Sequence, residues 1–378
     1  MLLVLLLLFS LSWQDALATA RIHGQFHKLS HGQVILESYL FGPPTEVARS
    51  QIAEDGHFAF DFDVKQIGFY RISCSSPEYS GMESRYINLV IDSTNVIGIE
   101  ASAPEIDHNY TVQGSEDSKL LKNINDILKR SFDRLDSLDA QYNLARKRNS
   151  LHMDSLSRSF QGPYLLIVNQ REDFIRDIIL DNPSSLSILT IINYLDKDED
   201  LDAYQVMDKN LYKRYPTLPY VSDFHRKVQE YSRIAIGAKA PEIELFDSKN
   251  EAFKLSDQKG KLVLLEFWSS ENTASRLSHQ TIQDIQKTHR KDAFIIVSVS
   301  FDEKKDTWLK AIQEDRLRWT QVSDFNGWSS AYTKVYDVRN LPTYYLIDED
   351  GRILEKGFGV DTCEAKIQAH LLKVKNNH

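Results

Sequence analysis

One stretch constrains the fold more than any other: Lys261-Leu-Val-Leu-Leu-Glu-Phe-Trp-Ser-Ser-Glu-Asn-Thr-Ala-Ser-Arg276. Leu262 to Leu265 is an apolar run of the length of a buried strand. A polar knot, Ser269 to Ser275, follows, and a helical pattern begins there. A strand that feeds directly into a helix N-terminus brings backbone N–H groups and a positive dipole end to the edge of the sheet. Open α/β folds place their chemistry at that edge. The reading predicts a strand ending at Trp268 and a helix over about Asn272 to Arg290.

At 378 residues the chain exceeds one ordinary core, which implies two or three domains. A net charge of −9 supplies no broad basic surface, which argues against a nucleic-acid partner. Residues 1–20 read as a secretory signal. Leu2 to Phe9 is an apolar run too short to span a bilayer, and Ala16-Leu-Ala18 and Ala18-Thr-Ala20 both offer small-x-small cleavage sites. No later segment reaches membrane-spanning length. Cys74 and Cys363 fall in different expected domains without CxxC-type spacing, and two separate buried thiols are the favoured reading over a bridge.

From 21 to 114 the pattern is that of an antiparallel β-sandwich-like domain. His57-Phe-Ala-Phe-Asp-Phe62 alternates with period two after the Glu54-Asp-Gly56 turn, and further strands are expected at Gln33–Leu40, Phe69–Ser73, Tyr86–Ile91 and Asn95–Ile99. His23, His27 and His31 share a spacing of four, but on a strand broken by Gly24 they read as solvated rather than as metal ligands. From 115 to 236 the spacing is helical, opened by the capping residue Ser115. Arg130 to Arg158 reads as an exposed helical hairpin. Ser187 to Leu195 is expected to dock on a neighbour. Asp196 to Asp202 reads as a solvated acidic loop that lacks the Gly and distal Glu of a calcium loop.

The last domain, 237–378, gives the order βαβαββα, an α/β unit with a central mixed sheet and helices on both faces. Trp268, Trp308, Trp319 and Trp328 read as core rather than as a cofactor-stacking surface, and the sequence calls for no cofactor or metal.

Gly237-x-x-Ala-Pro241, Gly260-Lys-x-Val-Leu-Leu-x-Phe-Trp268 and Leu341-Pro-Thr…Leu-Ile-Asp-x-Asp-Gly351 occur in the order and spacing of the thioredoxin-fold family. With these motifs the domain resembles the exported TlpA/ResA-like branch, which overlaps the AhpC/TSA group. The front half is similar to the DUF4369 region that precedes such domains, through Ile52-Ala-x-Asp-Gly56-x-Phe58 and Val112-x-Gly-Ser115. In the family a Cys-x-x-Cys follows the strand. Here Asn272 stands at the first position and Ser275 at the second, with Glu271 replacing a Trp. Exchange of disulfides needs an attacking and a resolving thiolate, which a carboxamide and a hydroxyl cannot replace. Peroxidase chemistry would need a Cys in the same neighbourhood, and Cys363 is far along the chain.

What the resemblance leaves is a scaffold. Asn272 suits a helix N-cap. Glu266 aligns with the acid beneath the family's dithiol and is expected as a buried carboxyl with an elevated pKa. Pro342 aligns with the family's cis-proline, beside which an extended peptide pairs by strand addition. A Ser275/His279/Glu271 hydrolase can be drawn, but residues one turn apart rarely share an acid and no oxyanion-hole motif accompanies them. The expectation is an exported, periplasmic or envelope protein without redox catalysis. Its face of Trp268, Glu271, Asn272, Ser275, Leu341 and Pro342 would hold an extended peptide or an envelope partner. Two alternatives stand beside it: a thiol–disulfide oxidoreductase working through Cys74, Cys363 or a partner's thiols, and a structural protein with the last domain as a dimerisation unit.

Overall fold

The structure, a computed structural model, describes residues 19–39, 43–64, 66–148, 153–289, 293–357 and 359–376. Of the expected signal, 1–18 lie outside the described residues. The chain divides into two compact units, the first running through Leu195 and including Lys209–Arg214, the second holding Asp196–Asp208 and everything from Tyr215 on. The helices expected as one segment over 115–236 are therefore divided between the units.

The first unit contains eight strands: β1 (Thr19–His27), β2 (Gln33–Tyr39), β3 (Thr45–Gln51), β4 (His57–Asp63), β5 (Gly68–Ser75), β6 (Tyr86–Ile91), β7 (Val96–Ser102) and β8 (Tyr110–Gln113). They form two four-stranded sheets, β4-β1-β7-β8 and β3-β2-β5-β6. Pairing is antiparallel except between β1 and β7, which run parallel. On β4 every second side chain is buried, and Phe58, Phe60 and Phe62 join Ile22, Phe26, Leu36 and Ile72 in one core. Gly24 does not break β1. It lies opposite Phe58, whose ring occupies the space a Cβ would need, 2.5 Å away. His23, His27 and His31 are exposed.

Two long helices follow, α1 (Glu116–Arg148) and α2 (Met153–Asp181). Ser115 caps α1 by accepting from the Ser118 N–H at 3.1 Å. Ser187 to Leu195 packs inward as expected, burying Ile188, Ile191, Ile192 and Leu195. The division between units falls within α3 (Leu201–Arg214), which α4 (Pro219–Arg233) follows.

The second unit is built on a seven-stranded sheet: β9 (Glu244–Asp247), β10 (Ala252–Lys254), β11 (Leu262–Trp268), β12 (Phe294–Ser300), β13 (Thr320–Ser323), β14 (Thr343–Ile347) and β15 (Ile353–Lys356). Their spatial order is β10-β9-β13-β12-β11-β14-β15, with β11, β12 and β13 mutually parallel. Helices α5 (Thr273–Thr288), α6 (Lys305–Glu314), α7 (Ala331–Val335) and α8 (Val360–Asn376) complete it. This is the thioredoxin-like α/β architecture. All seven residues of β11 are buried. Val263, Leu265 and Phe267 enter one core with Ile234, Phe253 and Tyr336; Leu262, Leu264 and Trp268 enter the other with Ile282, Trp308 and Ile367. Both faces being covered explains why the strand reads as a continuous apolar run instead of an alternation.

One expectation is sharpened here and one is corrected. The acidic run 196–202 is solvated as expected at Asp196, Asp198, Glu199 and Asp202, but it is also tied down: Lys197 pairs with Asp337 at 3.0 Å, Asp198 pairs with the nearly buried Lys356, and Asp200 is itself buried. These charges neutralise one another and hold the run against its own unit. Trp328 is not core; it stands 55% exposed, its ring edge-on to Phe301 at 5.5 Å. Among the described residues no helix is long and apolar enough to cross a membrane.

Leu264 is fully buried, whereas Leu277 on α5 is 73% exposed. Leu264→Ala should lower stability by about 3 kcal/mol and Leu277→Ala by less than about 0.5 kcal/mol. Urea unfolding followed by tryptophan fluorescence reads this directly, because every tryptophan among the described residues, Trp268, Trp308, Trp319 and Trp328, lies in the second unit.

Candidate functional site

The strand–helix junction is organised by a carboxylate. Asp302, buried just past β12, accepts from the Ser270 N–H (3.1 Å), the Ser270 hydroxyl (2.5 Å), the Ser269 hydroxyl (3.2 Å) and the Ser300 hydroxyl (2.6 Å). These bonds satisfy the turn that leaves β11 and tie it to the neighbouring strand. Asn272 then caps α5: its backbone is extended (φ −90°, ψ 112°) and its side-chain oxygen accepts from the Ser275 N–H at 2.8 Å.

The residues expected to form one binding face do not all reach the surface. Glu271 is exposed, and Asn272, Leu341 and Pro342 are half-buried. The Leu341–Pro342 bond is cis. Trp268 and Ser275 are fully buried and cannot touch a partner. Trp268 faces inward because its side of β11 is covered by α5, α6 and α8, and Ser275 because it lies on the inward side of the first turn of α5. The Ser275 hydroxyl has no hydrogen-bond partner among the described residues.

His279 lies one turn further along α5, 1% exposed, with its ring edge-on to Trp268 at 4.7 Å. Its Nδ1 is 2.8 Å from Asp315 Oδ2. Arg276 grips the same carboxylate with two N–H groups, one of them 2.6 Å from Oδ1, and reaches Glu314 at 3.1 Å. The acid that orients His279 is thus Asp315 and not Glu271, and Ser275 is not bonded to the imidazole. The hydrolase arrangement does not form. Burial holds the His279 imidazole below its ordinary pKa, against the opposing pull of Asp315.

Beneath them lies Glu266, fully buried on β11. Burial pushes its carboxyl up to about 7, while hydrogen bonds from the Ser298 and Tyr344 hydroxyls act in the other direction. The Ser298 hydroxyl is 2.5 Å from Oε2 and accepts from the Trp319 indole N–H at 2.7 Å. Tyr344 lies 3.4 Å from Oε1 and donates to Ser278 at 2.8 Å. The sequence pointed to Glu266 and His279 but missed Ser298, Asp302, Asp315, Trp319 and Tyr344. Ser298 and Ser300 did carry a signal, as polar residues inside an apolar strand; Asp315 carried none.

Both cysteines are free and buried, Cys74 in the first unit and Cys363 in the second. Burial pushes each thiol up to about 12, so each stays protonated near neutrality.

Glu266 offers a test of this electrostatic picture. Its pKa in the fold is above the value of an unconstrained carboxyl, 4.5, so the fold favours the neutral acid. That contribution is fully present below about pH 4.5 and is lost as pH rises through 7. Relative to Glu266→Gln, the wild-type protein should lose about 3 kcal/mol between pH 4.5 and 8. Denaturant unfolding of both proteins across this range would show parallel profiles if the carboxyl were ionised throughout.

Residues 236–356 match the AhpC/TSA family. "Thiol-disulfide oxidoreductase ResA" of Geobacillus kaustophilus is 29% identical over 146 residues, 39% of this chain and 82% of that protein. "Thioredoxin-like protein YneN" of Bacillus subtilis is 30% identical over 141 residues, 35% of this chain and 80% of that protein. The solved thioredoxin domain of a thiol-disulfide oxidoreductase from Bacteroides vulgatus shares 29% identity, covering 36% of this chain and 97% of that one, at a TM-score of 0.35. A chain with this sheet, this strand–helix junction and these relatives belongs, through its C-terminal part, to the AhpC/TSA family of thioredoxin-like proteins related to the ResA thiol–disulfide oxidoreductases.

Proposed function

We propose that the protein is exported and that its thioredoxin-like unit binds an extended peptide or an envelope partner without exchanging disulfides. The observation that carries this reading is the junction itself. An amide cap, Asn272, and a buried hydroxyl, Ser275, occupy the positions that the family motif gives to two thiols, on a scaffold otherwise complete. The reachable part of the face is Glu271, Asn272, Leu341 and Pro342, beside the end of β11. Strand addition at such an edge draws on backbone groups and needs no cysteine. Export rests on the apolar run Leu2–Phe9 and the Ala-x-Ala site that follows.

A second reading, thiol–disulfide exchange, is favoured by the names its relatives carry. It would have to use Cys74 or Cys363, both buried and both protonated at neutral pH. Insulin reduction distinguishes the two. The binding reading expects no turnover, and none that changes in a Cys74→Ser/Cys363→Ser variant; cysteine-dependent turnover would establish exchange instead. On the binding side, Leu341→Glu and Glu271→Arg should each weaken photo-crosslinking to the native partner about tenfold, or about 1.4 kcal/mol. Unchanged crosslinking in both variants would place the partner elsewhere.

A further inference from the structure

The outer part of the α1–α2 pair has no core of its own. The two helices run antiparallel: Arg134 donates to Gln170 at 2.9 Å, and the Tyr142 and Phe160 rings meet with centroids 5.3 Å apart. Ser118 ties the base of α1 to Val90 on β6. Beyond that base, from Phe132 to Arg148 and from Asp154 to Leu166, no side chain is buried. Helices that bury no face are marginal in water. α2 also carries Gly162 and Pro163 in this stretch, the two residue types least suited to a helix interior. What the pair does have is half a seam. Leu135, Leu138, Tyr142 and Ala145 recur at coiled-coil spacing and are only half-buried. Beside them Leu144 and Leu166 stand 55% exposed each, and Tyr164 and Leu165 are exposed too. A second pair of helices laid on the open side would complete a four-helix bundle.

The charges along this stretch select which second pair fits. At the tip, Arg146, Lys147, Arg148 and Arg158 stand against a single acid, Asp154. Nearer the base, Asp133, Asp136 and Asp139 stand against Arg134, and 163–166 carry no charge. Lys129 holds Asp133 at 2.8 Å, but Asp136, Asp139, Arg146, Lys147 and Arg148 have no ion-pair partner among the described residues. A copy lying in the same direction would set like charges together. A copy turned end to end sets its basic tip against the acidic base of the first, and a two-fold axis makes that contact twice. With the axis near Tyr142, Asp136 and Asp139 of one copy fall level with Arg148 and Arg146 of the other, to within a residue. We propose that the protein is a two-fold homodimer in which the α1–α2 pairs of two copies pack antiparallel into a four-helix bundle. Burial of Leu144 and Leu166 holds the bundle together, and the segregated charge sets its direction. This assigns dimerisation to the first unit and not to the last domain, and it stands whatever the junction in the second unit binds.

Sedimentation equilibrium of the full chain tests this. Twice the chain mass is expected to predominate at about 100 μM, and Leu144→Glu/Leu166→Glu should raise the dimer dissociation constant about tenfold or more. Reversing the base alone, Asp136→Lys/Asp139→Lys, should weaken the dimer by a similar factor. Adding Arg146→Glu/Arg148→Glu should then restore it, since opposite charges face each other again; damage to the helices themselves would instead accumulate over the four changes. A monomer at every concentration would overturn the proposal. So would a dimer that neither the leucine changes nor the base reversal weakens, or a base reversal that the tip reversal fails to rescue. A monomer that Leu144 and Leu166 carry onto phosphatidylglycerol vesicles in a flotation assay would give the face to a lipid surface and overturn it as well.

Discussion

Everything in the second unit depends on covering both sides of β11. A strand whose seven residues are all apolar or neutralised can exist only if it is hydrogen-bonded on both edges and packed on both faces. β12 and β14 supply the edges, parallel and antiparallel respectively. α5, α6 and α8 cover one face; residues from Ile234 to Leu255, with Tyr336 and Val338, cover the other. Once that packing is satisfied the end of β11 has one exit, the turn into α5, and the position of Asn272 follows. The junction is a consequence of core packing, and none of its bonds needs a reactive side chain.

This explains what could be read from the sequence. The apolar run, the cap at Asn272 and the strand pattern of the first unit each follow from local periodicity or a single residue's chemistry; the buried acid at Glu266 came from the resemblance to the family. β13 was invisible because it has four residues, Thr-Gln-Val-Ser, with no apolar run; it is a strand through its pairing with β12 and β9. The parallel pairing of β1 with β7 joins segments nearly seventy positions apart in the chain, which no local pattern encodes. Asp315 shows the same limit at the site. It follows the end of α6 as one more surface acid, and only the fold carries it to Arg276 and His279. The ion pairs of the run 196–202 were out of reach because the partners, Asp337 and Lys356, lie far along the chain.

The site also separates two kinds of inheritance. The sheet and the proline beside β11 belong to the family scaffold, whereas the cap at Asn272 stands where the family has a cysteine. The polar network under the junction has a composition of its own. In place of a thiol, an imidazole faces the buried acid, and a surface arginine sits at the far end of the chain of contacts. A buried carboxyl is costly unless it is hydrogen-bonded, and the Ser298 and Tyr344 hydroxyls supply those bonds here.

The Asp302 knot carries a last consequence. In proteins that trade disulfides, the turn at this place alternates between two covalent states, and its shape follows the oxidant around it. Here the same turn is stitched by four hydroxyl and amide bonds to one carboxylate, none of which an oxidant can make or break. The surface formed by Glu271 and Asn272 is therefore the same in a reducing and in an oxidising compartment, and a partner would meet one constant shape.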